Sequence, residues 1–82
     1  MISFLVGIIE EKLEGSVCLD VNGVGYSLFV SNNTLASLPE EGETVKVYTY
    51  MAVREDDVSL VGFSSREEKQ LFLKLSQFSG IG

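Results

Sequence analysis

The 82-residue chain has no histidine, one cysteine, and six lysines and arginines against twelve aspartates and glutamates. Without histidine, no Ser-His-Asp or Cys-His catalytic arrangement can form, nor any His-containing zinc site. The lone Cys18 allows neither an internal disulfide nor a thiolate cluster. Flanked by Val17 and Leu19, it reads as a small buried apolar side chain in an intracellular protein. A formal net charge of −6 argues against a basic tail or nonspecific nucleic-acid binding. The longest apolar run, at the N-terminus, has no Lys or Arg ahead of it and meets Glu10-Glu11-Lys12 after nine residues. It is too short to span a membrane and lacks the basic start of a signal peptide.

What is present suffices for one small domain, or one domain with a fragment of a second. The hydrophobic fraction is 45%, although a chain this short buries only roughly 60–65% of its unfolded surface. Residues 2–12 read as one long strand rich in Ile, Val, Leu and Phe, with Gly7 in its middle marking a bend that lets the strand serve two parts of a barrel. Alternating runs flank Asn22-Gly23: Val17, Leu19 and Val21 before it, Val24, Tyr26, Leu28 and Val30 after it. That pattern predicts a hairpin, because a type I′ turn needs positive φ at both central residues.

Ser31-Asn32-Asn33-Thr34 supplies capping residues for about one helical turn before Pro39 stops it. Residues 43–53 alternate again. Arg54-Glu55-Asp56-Asp57 then forms a charged tip, and residues 58–63 resume the apolar pattern, so two antiparallel strands are expected around the tip. At Ser64-Ser65 the period changes. Ser65 with Glu68, or Ser64 with Glu67, has capping-box spacing, and Leu71, Phe72, Leu75 and Phe78 make one apolar stripe on a helix from about residue 66 to 78. Five strands, a short helix before the fourth and a terminal amphipathic helix describe a mainly β chain. The pattern fits a five-stranded Greek-key barrel of the oligonucleotide-binding (OB) kind, and an SH3-like barrel would give much the same string.

Gly23-Val24-Gly25 is not a dinucleotide fingerprint, because Leu28 stands where the third glycine belongs. Tyr26, Tyr48 and Tyr50 are candidate base-stacking residues, although without an evident basic groove they also read as ordinary strand tyrosines. Glu55, Asp56 and Asp57 form the densest charge cluster. They lack calcium-loop spacing, and they suit either a solvated hairpin tip or, less well, a carboxylate metal site. Ser79-Gly80-Ile81-Gly82 after the helix is either a glycine C-cap or the opening turn of a helix-hairpin-helix motif, whose backbone N–H groups can meet a DNA phosphate.

Met1-Ile2 with Gly7-Ile8-Ile9, Val21-Asn22-Gly23-Val24-Gly25-Tyr26, Leu38-Pro39, Gly42, Val53-Arg54-Glu55-Asp56, Leu60, Gly62-Phe63, Arg66-Glu67-Glu68-Lys69, Leu71-Phe72 and Gly80-Ile81-Gly82 together resemble the N-terminal part of the RuvA family. The resemblance covers the whole chain in order. It implies an OB-fold domain over residues 1–63 and, over residues 64–82, the first helix and truncated hairpin of a helix-hairpin-helix DNA-binding domain. It also implies a cytoplasmic, non-catalytic subunit without cofactors, a homotetramer that binds four-way (Holliday) junctions and serves branch migration in DNA recombination and repair with the RuvB motor. RuvB would be contacted through a C-terminal domain beyond this chain.

By position, Glu55 and Asp56 match the family's acidic pin, which repels phosphates at the junction centre. Gly80 and Gly82 match a phosphate-contacting turn. Arg54 beside the pin either attracts a strand or pairs with a carboxylate, and Asp57 falls where the family pattern requires no acid. A protein-binding barrel and a metal-site fragment are the competing readings.

Overall fold

The computed structural model describes residues 1–78, without the side chains of the last two. Its elements are β1 (Phe4–Leu13), β2 (Ser16–Val21), β3 (Val24–Phe29), α1 (Asn32–Ser37), β4 (Thr44–Val53), β5 (Val58–Phe63) and α2 (Arg66–Phe78). The strands close a barrel in the order β1-β2-β3-β5-β4. All pairings are antiparallel except β3 with β5, which run parallel through Leu28–Leu60 and Phe29–Val61. That closure, with α1 between β3 and β4, makes this the OB-fold alternative of the two five-stranded barrels.

β1 holds the barrel together from two sides. Residues 4–8 pair with β4, and residues 8–13 pair with β2, with a bulge between Ile9 and Glu11. The bend expected at Gly7 is thus shared between two positions. The extra residue sits three places further on, whereas Gly7 marks a close crossing: a Cβ there would lie 2.6 Å from the backbone oxygen of Asp20.

The β2–β3 turn follows the sequence reading. Asn22 and Gly23 have φ of 53° and 89°, and the Gly23 N–H donates to Asp20 Oδ1 at 2.8 Å. Positive φ at both central positions matches the strands' right-handed twist.

The core follows from the period-two alternation. Ile9, Val17, Leu19, Leu28 and Val47 are each at most 1% exposed, and each such burial is worth about 1.5–3 kcal/mol. Because Val17 and Leu19 take the inward positions, Cys18 points outward and is only partly buried, contrary to the expectation for it. Thr49 is the polar exception among the core residues of β4. Its hydroxyl donates to Ile2 O at 2.7 Å and its N–H to Ser3 O at 2.9 Å, which ties the N-terminus to the barrel.

α2 lies on the outer face of β4 and β5. The ring of Phe72 sits 5.2 Å from Phe63 and 5.9 Å from Tyr50, tilted against both. Leu71 and Leu75, the rest of the described stripe, remain 57% and 59% exposed. No helix among the described residues is long and apolar enough to cross a membrane.

Candidate nucleic-acid interface

β4 and β5 extend to a Val53–Val58 pair, beyond which the chain reverses in four residues. Asp57 N–H donates to Arg54 O at 3.5 Å, and Arg54 N–H donates to Asp57 O at 2.7 Å. These reciprocal bonds put Arg54 and Asp57 at the stem of the turn and leave Glu55 and Asp56 as its two central residues. All four are exposed.

The turn therefore separates Glu55 and Asp56, at the apex, from Asp57, whose backbone closes the loop. Like charges crowded at a tip in water are tolerated because solvent screens them. They also keep the edge from pairing with another chain. No group of three or more carboxylate or thiol side chains is arranged to hold a metal ion among the described residues. The side chain of Arg54 makes no ion pair with the neighbouring carboxylates there either.

The tyrosines divide. Tyr26 pairs with the fully buried Leu19 and packs against the core, so it is a wall residue and not a stacking platform. Tyr48 and Tyr50 face outward on β4. Tyr50 lies against Phe72 of α2.

Tyr48 has the basic company that the sequence did not reveal: Lys46 Nζ is 5.2 Å from its ring centroid and Arg66 Cζ 5.8 Å. Lys46 also lies 4.4 Å over the ring of Phe4. Lys46 could have been found from its spacing of two on the same strand face. Arg66 could not, because only the docking of α2 brings it there.

The start of α2 is built from several elements. Ser65 Oγ accepts from the Glu68 N–H at 3.0 Å, the first half of a capping box. The Glu68 carboxylate, however, does not return to Ser65. It accepts the Ser64 N–H at 2.8 Å and the hydroxyl of Thr34, which lies 2.9 Å from each carboxylate oxygen. Ser31, the N-cap of α1, accepts from Thr34 N–H and donates to Thr34 Oγ1. The orientation of α2 on the barrel is set partly by this joint. Gly80 and Gly82 lie outside the described residues.

Comparison with known proteins adds the following. The profile of a family described as "RuvA N terminal domain" matches residues 1–62. Over all 82 residues the chain is 46% identical to a protein of Pseudomonas putida, 44% to one of Thermoanaerobacter and 45% to one of Bordetella pertussis. Each of these is named "Holliday junction branch migration complex subunit RuvA". The chain spans 40%, 44% and 43% of their respective lengths.

Proposed function

The chain belongs to the RuvA family, and from that premise we propose that it is the barrel-bearing N-terminal part of a subunit that recognises four-way DNA junctions and supports their branch migration in recombination and repair. Similarity along its full length to subunits named for that complex is the observation that carries this reading. On it, the chain performs no catalysis of its own. A RuvB-type motor supplies the work, engaged through parts of the protein outside this sequence, and the setting is the cytoplasm.

The mechanism divides attraction from repulsion. Residues 1–63 carry three basic and ten acidic groups, net −7, whereas residues 64–82 carry three basic and two acidic, net +1. Residues 64–82 open a helix-hairpin-helix domain, in which the backbone N–H groups around Gly80 and Gly82 meet DNA phosphates without a basic side chain. Arg54 adds a local cation at the stem of the turn.

Glu55 and Asp56 act as the pin. In a homotetramer with its tips at the centre, four copies face converging phosphates. Screening length at physiological salt is about 8 Å, so their repulsion acts on phosphates near the crossover and leaves the arms alone. A stacked junction, which crowds phosphates at that point, is disfavoured relative to an open one.

The experiment that tests the reading is a binding comparison with the protein extended to the length of its relatives. Affinity for a four-way junction should exceed that for a linear duplex of the same sequences by at least tenfold at physiological salt. Equal affinity for the two would overturn junction recognition, and no measurable binding to either would favour a protein-binding barrel.

A further inference from the structure

The outer face of the β4–β5 hairpin is covered unevenly. Directly paired residues share a face, so Tyr50 with Val61 and Ala52 with Ser59 form two successive rungs beneath α2. At the first rung the helix makes contact through Phe72. At the second, both side chains are small and leave space between the hairpin and the helix. The result is a hollow of about 630 Å³, lined by Tyr50, Ala52, Arg54, Ser59, Phe72 and Ser76 among others. It opens beside the acidic tip, since Arg54 belongs both to its wall and to the stem of the turn.

The two ends of this groove differ in chemistry. One end presents the rings of Tyr50 and Phe72. The other presents the guanidinium of Arg54, which is exposed and makes no ion pair with its carboxylate neighbours among the described residues. Tyr50 and Arg54 are four positions apart, about 13 Å along the extended backbone, and both side chains can lean into the space between. A ligand that fits has a flat π-face at one end and an anionic group at the other. Ser59 adds a polar residue to the lining between the two ends.

We infer that this groove accepts a single unpaired nucleotide, its base against Tyr50 and Phe72 and its phosphate beside Arg54. The aromatic end decides against an acidic peptide as occupant: a carboxylate side chain can meet Arg54 but brings no flat ring for Tyr50 and Phe72, whereas a nucleotide carries both groups. Base–aromatic stacking is worth about 1–3 kcal/mol per base and tolerates any base. The inference rests on the junction reading for its biological setting. Strands parted at the tip would present unpaired nucleotides within reach of the groove.

The test uses the 82-residue chain and an octathymidylate at low salt, followed by two-dimensional NMR. Resonances of Tyr50, Arg54, Ser59 and Phe72 should move together. Ala52→Leu, which fills the groove from an outward-facing position and leaves the barrel core untouched, should weaken binding at least tenfold, and Arg54→Gln should weaken it several-fold. Glu55→Gln with Asp56→Asn should leave the same resonances responding. That keeps this result separate from the junction reading, which is tested with four-way DNA on the extended protein. Absence of shifts at millimolar oligonucleotide, undiminished binding to Ala52→Leu, or equal shifts with inorganic phosphate alone would each overturn the inference.

Discussion

The hydroxyl of Thr34, itself only 1% exposed, lies 2.9 Å from both carboxylate oxygens of Glu68, 34 residues away. This contact joins the first turn of α1 to the first turn of α2 across the barrel wall. A hydrogen bond to a charged group is worth about 1.5–3 kcal/mol, and a buried donor left without a partner costs about as much again. Glu68→Ala should therefore lower stability by about 2–3 kcal/mol in urea titrations and speed hydrogen exchange at the Ser64 amide. Glu68→Gln keeps an acceptor oxygen and should recover at least half of the loss. Equal losses for the two variants would mean that the contact depends on the negative charge of the carboxylate and not on an acceptor oxygen or on bulk.

Two glycines separate steric approach from backbone conformation. At Gly7, where φ is not positive, an added Cβ would meet the backbone oxygen of Asp20 at 2.6 Å, a clash no rotamer can relieve. Gly15 has φ of +81° with nothing within 4 Å, so its substitution costs only the conformational term of about 1–2 kcal/mol. Gly7→Ala should be the more damaging of the two by at least 1 kcal/mol, read from chemical or thermal unfolding. The reverse order would show that strands β1 and β2 can separate locally without cost.

The 82 residues by themselves should bind four-way junctions weakly. Their barrel carries net −7, and attraction to DNA depends on neutralising phosphates, which makes affinity fall steeply with salt. A gel-shift titration should give little complex at physiological salt and some at low salt. A tight, junction-selective complex at physiological salt would place the attractive surface within these 82 residues.

Much of the fold was legible because its signals are local. Asn22-Gly23 between alternating runs has only one comfortable geometry, and the observed φ values are those of that geometry. The change of period at Ser64-Ser65 placed the start of α2 at Arg66. The charged run at 54–57 marked the β4–β5 tip for the same reason, since four polar residues cannot continue a strand whose alternate positions face a core.

What the sequence did not disclose depends on contacts between distant segments. Tyr26 and Tyr48 look alike as strand tyrosines, yet one faces the core beside Leu19 and the other lies outside between Lys46 and Arg66. Spacing within β3 alone cannot tell which face is inward when both carry apolar residues. Glu68 was recognisable as a cap residue, but its carboxylate reaches Thr34, and no local pattern announces a partner 34 residues upstream. The hollow beside the tip arises only when Ala52 and Ser59 are paired and α2 lies across them.

The apex position of Glu55 and Asp56 is the centre of this account, and one pair of substitutions tests it. In the protein extended to the length of its relatives, Glu55→Gln with Asp56→Asn should leave junction affinity equal or stronger, because repulsion has been removed, while the rate of motor-driven branch migration changes measurably. Side-by-side measurement of junction Kd and migration rate for this variant and the parent decides the matter. A large loss of junction affinity, on the order of tenfold or more, would contradict the account and make the two carboxylates part of the binding surface.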